Sequence, residues 1–341
     1  MEKINIALIG CGYWGPNYIR VFNELPRCRI SHCCDLANDK LAKIKKIYQE
    51  MKIFKDYKII ADEDSIQAVV IATPLHTHYR IAKYFLERNK HILVEKPLTL
   101  TSGEARDLIK ISKSKKLILM VGHVYEYNPG IMALKRIIDK GKLGRVYYIK
   151  SERMGLGPIR KHANALWDLA THDISVVLYL LEELPLKIFA QGGRYIQDNI
   201  EDFVDLTLKF KDGVFCSVYA SWLAPEKIRK LTVVGSKAMA VFDDVNKAEM
   251  LKIYEREIDK SMLDSTPEYN DHQHIVKAGN VYLADVKQSE PMKNQAKEFI
   301  DCILKNRQPR TGGYDGLNVV RILESAQRFL KTGDKNAYKK C

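Results

Sequence analysis

The sequence predicts an α/β chain in two parts. An N-terminal doubly wound parallel sheet precedes an α+β domain with an open, largely antiparallel sheet. Three observations carry this expectation. The 341 residues exceed what one typical core organises, so about two domains are expected. Over residues 1–122, short apolar runs alternate with amphipathic helical patterns, as parallel strands joined by helices require. Beyond that point hairpin patterns replace the alternation. The expected domains are 1–122 and 123–341, with the C-terminal helix able to pack back on the first.

The elements follow in order. "INIALIG" is a continuous apolar run, as a strand buried on both faces must be. A helix is expected from Pro16 to Leu25, then the strand "RISHCCD" and the helix "NDKLAKIKKIYQE", which Asn38 or Asp39 could cap. "AVVIATP" is another buried strand, followed by the helix "HTHYRIAKYFLERNK". The strand "HILVEKP", the helix "SGEARDLIKISKSKK" and the strand "LILMVGH" complete the domain. Next come a helix, "NPGIMALKRIIDKGKLG", and a strand, "RVYYIKSER". The stretch "WDLATHDISVVLYLL" reads as an amphipathic helix with Leu169, Ile174, Val177, Leu178 and Leu181 on its apolar face. Hairpins are expected around Asp212-Gly213 and Gly235, and two helices near 291–305 and 314–331.

Composition excludes several classes. An apolar fraction of 46% is ordinary for a globular chain. No apolar run reaches the ~18 residues of a membrane span. "MEKINIALIG" enters a strand at once and does not look like a signal peptide. Seven cysteines, odd in number and without metal spacing, point to a reduced cytoplasmic protein. The net charge of +13 gathers in runs such as "KLAKIKKIYQEMKIFKDYK", "KSKK" and "KNAYKK". Such runs are solvated helix faces, or a field that draws an anionic ligand. No nucleic-acid-binding pattern accompanies them.

"GCGYWG" places Gly10, Gly12 and Gly15 in a G-x-G-x-x-G arrangement between a buried strand and a helix, the context of a dinucleotide-binding Rossmann turn. Gly10 permits the tight turn, Gly12 lets backbone approach a pyrophosphate, and Gly15 lets the helix pack on the strand. The helix N-terminus favours phosphate, and Pro16 suits a first helical position. Tyr13 and Trp14 are bulky here; they cover the cofactor or simply pack. Asp35 ends the second strand about 20 residues on, where an acid bonds ribose hydroxyls and favours NAD over NADP. It could equally cap the next loop. Thr73, Pro74, His76 and His78 of "ATPLHTH" follow another strand, where ligands of open α/β sheets bind. Capping accounts for Thr73 or Thr77 as well.

"HILVEKPLTL" sets Glu95, Lys96 and Pro97 at the end of a buried strand. A lysine there is costly unless paired, and its pKa is open to tuning. It is a catalytic candidate, or a snorkelling lysine paired with Glu95. A Lys96–Pro97 cis bond would fix its direction. Asp168 and His172 lie four residues apart, which puts both on one helix face. Capping, metal binding and catalysis all suit such a pair. Metal needs at least a third ligand, and none has evident spacing.

"GCGYWG", "EKPLT" and "WDLATHD", in this order, resemble the glucose–fructose oxidoreductase and inositol dehydrogenase family (Gfo/Idh/MocA) over nearly the whole chain. The resemblance implies an N-terminal Rossmann domain, a C-terminal domain with an open sheet, and NAD or NADP oxidising or reducing a sugar or cyclitol carbon. It implies that Lys96, Asp168 and His172 flank the substrate beside the nicotinamide, and that the chain forms a homodimer or homotetramer. "GYWGPNYIRVFNEL", "GHVYEYNP", "NALWDLATHD" and "SWLAPEKIRKLTVVGSKAMAVFDD" resemble the branch of nucleotide-sugar 3-dehydrogenases, which act on UDP-N-acetylglucosamine or its uronic acid. That branch usually has proline at Thr171 and glycine at Ala238; neither change removes a reacting group.

Alcohol oxidation needs a base that titrates near neutrality, which suits His172. Lys96 could stabilise the developing alkoxide or take the proton itself. Asp168 would position the substrate or bias the imidazole. A nucleotide-sugar diphosphate would meet Arg153, Arg160, Lys161, Lys227 and Arg229. Tyr127, Asn128 and Trp167 could line the sugar pocket, with Trp167 also reaching the cofactor. The expectation is an NAD-dependent oxidoreductase without metal, acting on a UDP-sugar. A dehydrogenase of a free sugar or cyclitol is the alternative, and a non-catalytic NAD sensor the third.

Overall fold

The computed structural model describes residues 3–161, 163–255, 257–258, 276–277 and 279–332. The basic run at 335–340 lies outside them. The chain divides into two compact units, 1–127 with 289–324, and 128–288 with 325–341.

In the first unit, strands β1 (Ile4–Ile9), β2 (Cys28–Cys34), β3 (Lys52–Phe54), β4 (Ala68–Ile71), β5 (His91–Val94) and β6 (Leu119–Val121) alternate with helices α1 (Gly15–Asn23), α2 (Asn38–Ile47), α3 (Tyr57–Ala61), α4 (His78–Glu87) and α5 (Ser102–Ser114). The sheet order is β3-β2-β1-β4-β5-β6, and every pair is parallel. This is the doubly wound order, with its reversal between β1 and β4. β1 shows why its sequence is continuously apolar. Ile6 and Leu8 enter one core with Tyr18 and Phe22 of α1, while Ala7 and Ile9 enter the other with Phe85 of α4 and Leu108 of α5. Alternate side chains of one strand thus fill both cores.

Side-chain caps set the starts of α3, α5 and the later helix Pro129–Asp139. Thr101 and Glu104 form a capping box on α5. α2 departs from expectation: Asn38 and Asp39 lie inside its first turn, and Ala37 is the N-cap. Asp35 Oδ1 instead accepts the Ala37 N–H at 2.9 Å.

The second unit contains α6 (Pro129–Asp139), β7 (Val146–Met154), α7 (Thr171–Leu181), β8 (Lys187–Gly193), β9 (Phe203–Lys209), β10 (Phe215–Ser221), β11 (Ile228–Gly235), β12 (Met239–Asp243) and β13 (Leu251–Tyr254). A short pair, β14 (Glu257–Ile258) and β15 (Val276–Lys277), precedes β16 (Val281–Leu283). The eight-stranded sheet runs β16-β13-β12-β11-β7-β10-β9-β8. It is antiparallel except where β7 and β10 lie parallel, because the chain makes α7 and the β8–β9 hairpin before returning. The Asp212-Gly213 turn has φ of +52° and +79° at its two residues, as a tight hairpin requires. The sequence patterns missed β3, β8, β13 and β16. β3 and β16 have three residues each, too few to show a period.

The chain then forms α8 (Pro291–Lys305), whose Met292, Ala296 and Phe299 join the core beside α1, and α9 (Gly313–Thr332). Among the described residues no helix is long and apolar enough to cross a membrane. The six described cysteines are all buried and free.

Candidate functional site

The first unit gathers its candidate residues on the carboxyl edge of the parallel sheet. Gly10 follows β1 with φ +99°, and a Cβ there would meet the Ala72 carbonyl oxygen at 2.5 Å, at the end of β4. Only glycine lets these two strand ends close together at the topological reversal. A Cβ on Gly15 would stand 2.7 Å from the Gly10 carbonyl, so this residue lets α1 start tight against the turn. Gly12 differs, since nothing lies within 4 Å of the Cβ it lacks. Its bare backbone faces open space, as a surface that receives a pyrophosphate should.

Trp14, the N-cap of α1, makes no side-chain cap bond, and Pro16 occupies the first turn. The helix start is thus suited to an anion. Tyr13 (83% exposed) and Trp14 (43%) pack edge to face beside the loop rather than in a core. Asp35 Oδ2 accepts the Cys11 N–H at 2.8 Å, tying the glycine loop to the end of β2. The loop-capping role that the sequence left open is therefore made. Each oxygen retains a lone pair for a ribose hydroxyl. Lys40 approaches the same carboxylate at 3.7 Å. Open backbone at Gly12, an uncapped helix start and a carboxylate beside them fit a dinucleotide.

The "TPLHTH" residues have divided roles. Pro74 and His76 are exposed. Thr77 is the N-cap of α4 without a cap bond; its hydroxyl instead bonds Thr73 Oγ1 at 2.6 Å and the Pro74 carbonyl at 2.7 Å. His78 is 1% exposed, with Nδ1 and Nε2 each 2.9 Å from a carbonyl oxygen, those of Pro97 and Thr73. It stitches the turn after β4 to the turn after β5. Burial lowers its pKa, against the pull of those two carbonyls.

Glu95 and Lys96 leave β5 on the same edge, and the Lys96–Pro97 peptide is cis. Glu95 Oε1 accepts the Tyr18 hydroxyl at 2.7 Å, and Oε2 accepts the Lys96 N–H at 3.2 Å. Burial raises the Glu95 carboxyl, while Tyr18 and the Lys96 charge act the other way. Tyr127 is buried, its hydroxyl 3.2 Å from Thr311 Oγ1.

In the second unit, Asp168 and His172 stand where the backbone changes winding. Residues Leu166–Ala170 form a π-helical turn, and the α-helix proper begins at Thr171. The sequence read one continuous α-helix; the wider turn holds Trp167 and Asp168, and His172 lies in the first α turn. Such turns are rare and often mark functional positions. Burial also departs from expectation. Ile174 and Val177 are buried, but so are Thr171, Asp173, Ser175 and Val176, while Leu169, Leu178 and Leu181 are only partly buried. α7 is enclosed on most sides rather than striped.

Side chains from far along the sequence brace this turn. Asn164 Oδ1 accepts the Trp167 N–H at 3.1 Å, while Asn164 Nδ2 donates to Glu201 and to Gln327 Oε1. Trp167 Nε1 donates to the same Gln327 oxygen at 3.0 Å. Burial opposes the Glu201 charge, but Asn164 and Arg194 prevail and hold its pKa below the usual range. Asp168 Oδ2 accepts from Trp222 Nε1 at 3.3 Å and faces Arg160 Nε at 3.5 Å. Glu201 and Gln327 gave no signal in the sequence; Asn164 lies within "NALWDLATHD" and Trp222 within "SWLAPEKIRKLTVVGSKAMAVFDD".

Other candidates have internal duties. Arg153 forms a buried fork with Asp173, Nε to Oδ2 at 2.7 Å, and Asp173 also accepts Ser151 Oγ at 2.7 Å. This pins α7 to β7. Asn128 is the N-cap of α6 and donates to Asp244 at 3.0 Å. Arg229 pairs with Asp244 at 3.7 Å, and Lys161 and Lys227 are exposed. Among the described residues no cluster of three or more His, Cys, Asp or Glu could hold a metal ion.

Residues 4–123 match the oxidoreductase family with an NAD-binding Rossmann fold, and residues 131–241 match the GFO/IDH/MocA C-terminal domain. The chain is 23% identical to UDP-N-acetylglucosamine 3-dehydrogenase of Acidithiobacillus ferrooxidans, covering 97% of this chain and 100% of that one. It is 20% identical to myo-inositol 2-dehydrogenase of Thermotoga maritima, covering 96% of each. A solved structure of the Acidithiobacillus enzyme superposes with a TM-score of 0.81 at 20% identity, over 97% of this chain and 98% of that one, a likeness of fold. This chain belongs to the GFO/IDH/MocA oxidoreductases, with an NAD-binding Rossmann domain at its N-terminal end.

Proposed function

We propose that the chain is an NAD-dependent dehydrogenase that oxidises C3 of a UDP-N-acetylhexosamine, or of its uronic acid, to the 3-keto sugar. The observation that carries the chemistry is the sheet edge of the first unit, where Lys96 leaves β5 on the same edge as the glycine loop after β1. The sugar assignment draws on full-length likeness to the Acidithiobacillus enzyme and on the "NALWDLATHD" stretch.

Bound NAD supplies the acceptor for the hydride of the carbinol carbon. The Gly12 backbone and the α1 start would hold its pyrophosphate, Tyr13 and Trp14 would shield it, and Asp35 would take the ribose hydroxyls. His172 removes the hydroxyl proton as the carbon loses hydride and later releases it to water. The Lys96 ammonium stabilises negative charge growing on that oxygen. Asp168, held by Trp222, orients the sugar. Arg160 and Lys161, exposed before the π turn, are suited to a diphosphate. We place the enzyme in the cytoplasm as a homodimer or homotetramer joined through the open sheet, whose Tyr148 and Phe215 are exposed. A monomeric scattering mass would refute that assembly.

Incubation with NAD and a panel of UDP-sugars, with a coupled acceptor for the 3-keto product, tests the function. Reduction of NAD by a UDP-N-acetyl sugar supports it. Reduction only by free sugars or cyclitols would instead favour an inositol-dehydrogenase-like role, as the Thermotoga relative's name suggests. Tight NAD binding with no turnover on any substrate would favour a sensor.

A further inference from the structure

His123 follows β6 and has no part in the mechanism above. It is fully buried, and neither ring nitrogen has a hydrogen-bond partner among the described residues. An imidazole with both nitrogens orphaned is rare in a native interior, and an apolar ring would fill the space without that cost. Strand register places it. Val94 of β5 pairs with Val121 of β6, and the Gly122 N–H donates to the Val94 carbonyl at 2.7 Å. The chain turns at Gly122, where a Cβ would stand 3.3 Å from the Glu95 Cα, so Lys96 and His123 are the next residue on each side of that close approach, and the Lys96 charge acts on the His123 ring.

We propose that His123 is a positioning residue for Lys96, its unprotonated nitrogen accepting a hydrogen bond from the Lys96 ammonium and so setting the lysine's charge and direction. The consequence for catalysis rests on the role given to Lys96 above; the contact itself does not. His78 and Glu95 also lie near Lys96 in the first unit. Each nitrogen of His78, on α4, faces a carbonyl oxygen. Glu95 is engaged by Tyr18, from α1, and by the Lys96 N–H itself. Tyr18 in turn receives Gln295 of α8. Of this group, only His123 has both of its polar side-chain atoms without a hydrogen-bond partner among the described residues. Burial first, and then the Lys96 charge, push its pKa down to about 3, so the ring stays neutral and keeps a lone pair at working pH.

The test is direct titration of Lys96 in the full-length protein. Its ε-carbon resonance, in lysine-labelled chain, is assigned by its disappearance in Lys96→Arg. Replacing His123 with Phe keeps a ring and removes the acceptor. The Lys96 pKa should then fall by about one unit, since the ammonium loses a stabilising partner. His123→Gln, which retains an acceptor, should restore it, and the Lys96-dependent limb of the kcat profile should move likewise. The imidazole nitrogen shifts of His123 give an independent reading on an intact chain: Lys96→Met should move one nitrogen toward its free lone-pair value. Superimposable Lys96 titrations in wild type and His123→Phe would overturn the proposal. Where His123→Phe does not fold, unchanged His123 nitrogen shifts in Lys96→Met would do so. A shifted Lys96 titration in a protein that oxidises no sugar would count against the proposed function and leave this contact standing.

Discussion

In the first unit the candidate residues stand on backbone. In the second they stand on a helix start that distant side chains hold in place. Gly10, Gly12 and Gly15 act through what they lack, and Glu95 and Lys96 through where a strand stops. Asp168 and His172 depend on Asn164, Glu201, Trp222 and Gln327 around a π turn, and on Asp173 inside α7. A site built from backbone is compact in sequence and tolerant of changes elsewhere. One built from side chains is scattered and fails when a remote partner is lost.

The largest effect should come from the second unit. His172→Asn keeps much of the size of the side chain and removes the imidazole base. It should lower kcat about 10²–10⁴-fold while NAD affinity, measured by calorimetry, stays within a factor of two or so. Turnover equal to wild type would move the acid/base role to Lys96. Next, Asp173→Ala should destabilise the protein by about 3–5 kcal/mol in denaturant unfolding, because it leaves the Arg153 guanidinium buried without its carboxylate. A loss below about 1 kcal/mol would mean that Arg153 finds another partner, and that bracing of α7 is redundant.

The glycine loop permits a paired test. Gly10→Ala forces a Cβ against the Ala72 carbonyl at positive φ, and should cost about 2–3 kcal/mol of stability together with NAD binding. Gly12→Ala meets no neighbouring atom. It should change stability by no more than about 0.5 kcal/mol, yet weaken NAD at least about tenfold, about 1.4 kcal/mol, by blocking close approach. Equal losses in both variants would show that Gly12 serves the fold rather than the cofactor.

The same contrast explains what was legible in the sequence. The parallel sheet could be read because β1, β4, β5 and β6, buried on both faces, are continuous apolar words. The glycine loop and "EKP" are contiguous, so motif and site coincide. In the second unit the hairpin at Asp212-Gly213 was legible from its turn residues, but the parallel β7–β10 pair depends on a connection through α7, β8 and β9 that no local pattern encodes. Asp168 and His172 could be picked out by spacing. The π turn beneath them could not, since it exists through bonds to Asn164 and, by way of Trp167, Gln327, about 160 residues on in register. Arg153 looked like a phosphate ligand for the same reason. A sequence shows an arginine's charge but not the buried Asp173 that already engages it.

The smallest expected effect separates the units by acid. Burial lowers the pKa of four histidines, His32, His78, His91 and His123, and all four lie in the first unit. For His123 the ordinary value of 6.5 falls to about 3. Between those values the unfolded chain binds a proton that the folded chain refuses. Unfolding therefore takes up protons, and stability falls as pH is lowered from about 6.5. The slope for one such group is at most about 1.4 kcal/mol per pH unit, so His123 accounts for about 1–2 kcal/mol by pH 5. His123→Phe should flatten the fall in melting temperature between pH 7 and pH 5 without abolishing it, because the other three histidines remain. Hydrogen exchange should show first-unit amides losing protection before those of β7–β13 as pH falls. If the second unit opens first, the acid-sensitive load lies in its Glu201 carboxylate, which Asn164 and Arg194 hold below the usual range, and side-chain bracing sets the lower pH limit of the fold.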